Sequence, residues 1–437
     1  MISDAGTSDA GTPQNAFVWI WLPGATKPIV AGRIVADGET LIFNYGRSYL
    51  ARDDAIAIYD PELPLAPGAI RPAAPLAMAN ALRDAAPDAW GRRVIINRLT
   101  GATGRDADAV NLGELTFLLE SGSDRAGALD FQASATDYVP RGGDTTSLDL
   151  LAQSAEHVEK GRPLTPELAE ALQHGTAIGG ARPKTLVTDG TRRYVAKFSS
   201  SSDTYNVVKA EFVAMRLASM AGLDAAPVAL TQAMNKDVLL VARFDRNSTS
   251  AGWTRRAMVS ALTLFGLDER MAAHASYEEF ADIVRRRFTD PKRTLKELFG
   301  RLVFNILVGN SDDHARNHAA FWDGRLLTLT PAYDICPQPR TGREASQAMR
   351  INRAERRSTL SLCLATAPKY LLTAGEATGI CRRLIAAIRE HFEAVCDEAA
   401  LAPVDRRFLW RRQFLNALAF EGLEDELGDV LAGLVDG

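Results

Sequence analysis

Asp312 and Asn317 stand five residues apart inside the His-containing segment GNSDDHARN, Gly309 to Asn317. A proton-accepting carboxylate followed at that interval by an amide is the spacing of a protein-kinase catalytic loop. Seventeen residues beyond Asn317, LTPAYDICP offers Asp334, and far upstream YVAKFS, Tyr194 to Ser199, offers Lys197 in a strand-like run. Base, metal ligands and phosphate lysine therefore occur in the order that phosphoryl transfer uses. An isolated Asp and Asn at this interval more often serve a turn or a helix cap; it is the ordered set that carries the weight.

Phosphoryl transfer asks little covalent chemistry of a protein, so these residues have to position nucleotide, cation and acceptor hydroxyl while neutralising developing charge. Asp312 would orient the hydroxyl and accept its proton. Asn317 through its amide oxygen and Asp334 through its carboxylate would hold Mg²⁺, a hard cation that takes oxygen ligands. Lys197 would pair with the phosphates of ATP. His314, two residues after Asp312, is expected to brace the loop through a ring hydrogen bond.

A second glycine-containing segment, GTAIGGARPKT, spans Gly175 to Thr185. Gly175 and Gly180 keep the glycine interval of a Walker A loop, but Ala181 occupies the lysine position, which disfavours a P-loop NTPase. The usual kinase GxGxxG is absent too. What remains is a loop with Arg182 and Lys184 that enters a hairpin, KTLVT and RRYVAKF around an Asp189-Gly190 turn. Backbone amides of Gly179, Gly180 and Ala181, with Lys184, suit a phosphate-facing β-lobe; a surface hairpin with solvated charges is the plain alternative.

Together GTAIGGARPKT, YVAKFS, LLVARFDR (Leu239 to Arg246), GNSDDHARN and LTPAYDICP resemble the HipA-like serine/threonine kinases, toxins of bacterial toxin–antitoxin pairs. NYGRSYLARDDAIAIYDPELPL (Asn44 to Leu65) and DAAPDAWGRRVIINRL (Asp84 to Leu99) look like the N-terminal subdomain of that family, so the resemblance runs from about Val18 to beyond residue 400. It implies Asp312 as base, Asn317 and Asp334 as Mg²⁺ ligands, and Lys197 as the ATP lysine. VARFDR would join the lobes, with Arg243 and Phe244 as side-chain candidates beside adenine; Ala242 stands where relatives often carry Glu. Many relatives also carry an autophosphorylated serine in the glycine-rich loop. Here that position is Ala177, and neighbouring Thr176 could replace it only if its side chain faces the site. The resemblance further implies a protein substrate, a translation component such as an aminoacyl-tRNA synthetase, and a small helix-turn-helix antitoxin partner. DNA would be met only through that antitoxin.

Bulk properties suit a cytoplasmic enzyme. The chain has 437 residues, 46% of them hydrophobic, enough for several domain-sized units. Lys and Arg number 50 against 54 Asp and Glu, a net charge of -4, which announces no polyanion partner. The basic runs RRRFTDPKR (Arg285 to Arg293) and MRINRAERR (Met349 to Arg357) read as solvated helix faces. Cys336, Cys363, Cys381 and Cys396 lack CxxC spacing and read as reduced structural thiols. No apolar run approaches the ~20 residues of a membrane span, and the first residues lack a secretion signal.

The expected architecture is α+β: a two-lobed kinase-like fold with an added β-rich N-terminal subdomain and a mostly helical C-terminal lobe. A disordered tail is expected over 1–15, the N-terminal subdomain over 16–150, the nucleotide-binding β-lobe over 151–246 and the catalytic lobe over 247–437. VWIWLP, PIVAGRIV and TLIFNY read as strands. Helices are expected at Pro75 to Leu82, at Trp90 to Thr100 with Trp90 in the core, within Leu148 to Lys160, and at Val207 to Leu223, where Glu211 is a candidate partner for Lys197. The region from 369 to 434 reads as helical throughout. Two other functions fit parts of the pattern: a catalytically weak or inactive nucleotide-binding corepressor, and a kinase-like small-molecule phosphotransferase.

Overall fold

The computed structural model describes residues 13–142, 147–178, 180, 182–200, 203–339 and 345–423. Gly179, Ala181, residues 1–12 of the expected tail, part of the expected boundary near 150 and the end of the C-terminal region lie outside them.

Alternating apolar residues rich in β-formers build the first sheet. Strands β1 (Asn15–Ile20), β2 (Ile29–Asp37), β3 (Thr40–Tyr45) and β4 (Leu129–Gln132) pair antiparallel in the order β3-β2-β1-β4. Val18, Ile20, Ile34, Phe43 and Phe131 are buried in its core. The helix expected at Pro75 to Leu82 is confined to Asn80–Arg83. Upstream of it the Ala77 carbonyl accepts the Leu41 N–H of β3, and burial alternates at Leu76 and Met78, so this stretch runs alongside the sheet. The next helix, Ala89–Thr100, ends at Gly101 in the left-handed conformation.

The second sheet has β5 (Lys184–Thr188), β6 (Arg193–Phe198), β7 (Val228–Ala233) and β8 (Lys236–Ala242) in antiparallel order β5-β6-β8-β7. Asp189 fixes the β5–β6 turn by accepting the N–H groups of Thr191 and Arg192 at 2.8 and 2.7 Å. The helix Val207–Met220 starts where the Asn206 side chain accepts the Lys209 N–H, and it packs against β7, β8 and a long C-terminal helix, Ala374–Glu398.

The helical lobe is built on Tyr277–Arg287, Pro291–Leu307 and Ala374–Glu398. A Thr373/Glu376 capping box starts the last of these, and Ile380, Leu384, Ile388, Phe392 and Val395 bury its inner stripe. Helix does not continue throughout the C-terminal region. Arg411 and Leu415 adopt left-handed backbone between Pro403–Leu409 and a short 3₁₀ turn at Ala417–Phe420. MRINRAERR is likewise a loop, pinned by buried Met349 and Ile351, whereas RRRFTDPKR spans a helix end and the following helix start. The remaining strands are the hairpin β9 (Arg246–Thr249) and β10 (Gly252–Arg255), and the sheet β11 (Met258–Ser260), β12 (Ala319–Trp322) and β13 (Leu327–Leu329). All four cysteines are buried free thiols. Among the described residues no helix is long and apolar enough to cross a membrane.

Candidate phosphoryl-transfer site

Three elements meet at Lys197. It projects from β6; Glu211 reaches it from Val207–Met220 at 2.6 Å, and Asp334, five residues past β13, closes the other side as a second ion pair. Burial works against the Lys197 charge, but Asp334 and Glu211 outweigh it and hold the ammonium above the usual lysine range. Burial likewise raises Glu211, even against Lys197. Asp334 goes the other way: Lys197 and Lys184 overcome its burial and keep the carboxyl well below the usual range. Asp334 takes left-handed backbone, φ 59°, a region that Asp visits more readily than most side chains.

Lys184 stands directly across the strands from Lys197 and is buried. Burial first and the Lys197 charge second lower it to about 8. Gly180 lies against it: a Cβ there would come 2.0 Å from the Lys184 Nζ, and the backbone φ of 110° suits only glycine. Arg182, by contrast, is committed to Asp203, whose two carboxylate oxygens both accept from its Nη2 at 2.8 and 2.6 Å.

GNSDDHARN leaves Pro291–Leu307 at Gly309, whose left-handed backbone runs so close to the chain after Pro403–Leu409 that a Cβ would lie 2.8 Å from the Gln413 carbonyl. The two adjacent aspartates then take opposite roles. Asp313 is buried and accepts from the Tyr277 hydroxyl and from His318 Nε2 at 2.7 Å, while Asn305 and Asn310 extend the network beneath. Asp312 is exposed; partial burial raises its carboxyl, His314 opposes the rise and Asp334 adds to it, which places all three within electrostatic reach. Asn317 donates its amide N–H to the Asp312 carbonyl at 3.2 Å, an orientation that leaves the amide oxygen as an acceptor. The expected brace is not His314, whose ring makes no hydrogen bond among the described residues, but His318. The doublet Asp312-Asp313 and the second histidine were visible in the sequence; Tyr277, from another helix, carried no local signal.

The segment joining the lobes differs from the expectation at Arg243. Arg243 does not border a nucleotide cleft: its guanidinium is buried between Asp245 and Asp124 and donates to the Arg125 carbonyl at 2.6 Å. Asp124, from the N-terminal domain, also pairs with Arg193 and Arg246, and these arginines overcome its burial to hold it well below the usual range. Phe244 is half-buried between Phe321 and Tyr333, the residue before Asp334. Thr176 is buried and turned toward the N-terminal domain, where its hydroxyl accepts the Gly122 N–H at 2.9 Å; Ala177 is buried as well. Neither presents a hydroxyl at the cleft in this conformation.

The twisted sheet with one packed helix, the helical lobe beneath it and the cleft between them define an α+β kinase-like fold. The family model for the HipA-like C-terminal domain matches residues 176–402, and that for the HipA N-terminal domain matches residues 24–132. The chain belongs to the HipA family. It is similar to the putative kinase Y4mE of Sinorhizobium fredii, at 27% identity over 32% of this chain and 33% of the relative. It is also similar to the serine/threonine-protein kinase toxin HipA of Shewanella oneidensis, at 24% identity over 48% of this chain and 55% of the relative. These matches therefore span between a third and about half of the relatives' length. Among solved structures, HipA in the Shewanella oneidensis complex of HipA, HipB and operator DNA has the same fold, with a TM-score of 0.66 at 18% identity over 92% of this chain and 99% of that one.

Proposed function

We propose that the protein is an ATP- and Mg²⁺-dependent serine/threonine protein kinase that acts as the toxin of a type II toxin–antitoxin pair in the cytoplasm. The observation that carries this reading is Lys197 held between Glu211 and Asp334, because it preorganises a phosphate-binding cation beside an ionised carboxylate. In this reading Lys197 and Lys184 bind the phosphates, with Phe244 against the base. Asp312 accepts the hydroxyl proton of a serine or threonine as its oxygen attacks the terminal phosphorus and the bond to the leaving diphosphate breaks.

The donor set fits Mg²⁺: Asn317 and Asp334 supply an amide oxygen and a low-pKa carboxylate. Among the described residues no three His, Cys, Asp or Glu side chains cluster to hold a metal by themselves, so the remaining ligands would be phosphate oxygens and water. When bound, Mg²⁺ offsets the charge on the transferred group. Asp334, which here pairs with Lys197, would turn its carboxylate to the metal, and Lys197 would then be left to the nucleotide phosphates.

The substrate we propose is a translation component such as an aminoacyl-tRNA synthetase, and the partner a small helix-turn-helix antitoxin through which alone DNA is reached. Calorimetric titration with ATP and Mg²⁺ tests the site: binding by the native chain, weakened at least tenfold in Lys197→Met and insensitive to Mg²⁺ in Asp334→Asn, supports it. Equal binding by all three contradicts it.

A further inference from the structure

One carboxylate of the N-terminal domain reaches both the glycine-rich segment and the loop below it. Asp88 is the N-cap of Ala89–Thr100, yet it makes no side-chain cap hydrogen bond to its own helix, although capping a free N–H of the first turn is the usual role of Asp there. Its oxygens are used elsewhere. One accepts the Gly180 N–H at 2.7 Å, and the other faces the Arg316 guanidinium at 3.2 Å. Gly180 belongs to the glycine-rich segment and Arg316 to the loop that runs from Asp312 to Asn317, so a single side chain bridges the upper and lower walls of the cleft.

Neighbouring contacts reinforce the grip. The Trp90 backbone N–H reaches the Gly180 carbonyl at 3.3 Å, and its indole N–H donates to the Lys184 carbonyl at 3.1 Å. Gly91 lets the helix approach so closely that a Cβ there would lie 2.0 Å from the Thr176 carbonyl. Below, the Tyr333 hydroxyl donates to the Arg316 carbonyl at 2.8 Å, connecting the same loop to the residue before Asp334.

We infer that Asp88 is a positioning residue that latches the glycine-rich segment to the catalytic loop, so that the N-terminal domain fixes how far the cleft opens. The consequence for nucleotide residence rests on the kinase reading; the latch itself does not. The forgone cap bond is the physical sign of this role, since a purely structural N-cap would keep it. A charge-assisted bond to a backbone amide is among the stronger hydrogen bonds a protein makes, and its loss frees the segment locally.

Hydrogen–deuterium exchange on the full chain tests this, with the native protein, Asp88→Ala and Asp88→Asn. In Asp88→Ala, amides in 175–185 exchange roughly tenfold faster or more, those in 310–318 also accelerate, and peptides from 15–45 and 374–398 keep native rates. Asp88→Asn retains an oxygen for Gly180 but no charge for Arg316, so it protects 175–185 better than alanine does while 310–318 still accelerates. Native rates in both segments of Asp88→Ala, or equal acceleration across the whole N-terminal domain, overturn the latch. If Asp88→Ala fails to fold, the asparagine variant decides alone, and unchanged exchange in 310–318 overturns the proposal. With ATP and Mg²⁺ present, the latch predicts nucleotide dissociation faster by a similar factor in Asp88→Ala. A native chain that binds no ATP contradicts the kinase reading and leaves the latch to be judged by exchange without nucleotide.

Discussion

Adjacent aspartates in the catalytic loop should respond oppositely to the same change. Asp313 is buried and accepts two hydrogen bonds, from Tyr277 and His318. Burial, with the Asp313 charge second, pushes the Tyr277 phenol well above its usual range, so it remains a donor. Asp313→Ala strands both donors in the core; each bond to a charged group contributes about 1.5–3 kcal/mol, so the loss is about 3–6 kcal/mol. That is a large part of the ~5–15 kcal/mol that holds a typical protein folded. Asp312 is exposed and its side chain accepts no hydrogen bond among the described residues, so Asp312→Ala changes stability by no more than about 0.5 kcal/mol, while in the proposed mechanism it removes a general base whose contribution is about 10²–10⁴-fold. Urea unfolding followed by tryptophan fluorescence measures the first quantity, with Trp322 on β12 reporting from the catalytic lobe. Phosphate transfer from ATP measures the second. A native unfolding midpoint for Asp313→Ala, or an Asp312→Ala protein that is strongly destabilised and still transfers phosphate, would refute the division of roles.

Glu211→Gln keeps the shape beside Lys197 but removes one of its two charges, and ATP affinity should fall by roughly tenfold in titration calorimetry, about 1.4 kcal/mol; unchanged affinity would remove the clamp from the account. Lys184 falls from 10.5 to about 8 on folding, so the unfolded chain binds more protons between those values and stability should rise with pH across that window. The corresponding cost at neutral pH is roughly 3 kcal/mol, and Lys184→Met should therefore raise the urea midpoint at pH 7 while weakening ATP binding. Gly309→Ala must place a Cβ against the Gln413 carbonyl at positive φ; a loss of about 1–3 kcal/mol by urea unfolding is expected.

Local patterns in the sequence reached most of the elements because burial there follows spacing. The alternation in β1 to β3, the Asp189-Gly190 turn and the apolar stripe of Val207–Met220 all appear where their periodicity points. Pro75 to Leu82 departs from a helix before Asn80 because its apolar residues serve a strand edge rather than a helix face. In the site, Lys197, Glu211, Asp334 and Asp312 converge as their kinase-like order suggests, while Lys184 joins them across the strands. Arg243 was legible only as a neighbour of the lobe connection; its partner Asp124 lies 119 residues away in another domain, and no spacing encodes such a contact. The same holds for Asp88, which meets Gly180 and Arg316 only after three segments fold together. His314 is nearer Asp312 in sequence, yet His318 is the imidazole that turns inward to Asp313, because proximity along the chain does not encode that orientation.

Transfer of labelled γ-phosphate from ATP with Mg²⁺ into a cell lysate, comparing the native protein with Asp312→Asn and resolving labelled proteins by mass, tests the proposed kinase activity most directly. A labelled protein present with the native chain and absent with Asp312→Asn is the predicted result, and it supplies the substrate. ATP binding without any Asp312-dependent labelling would contradict kinase activity and assign the cleft to a nucleotide-binding corepressor.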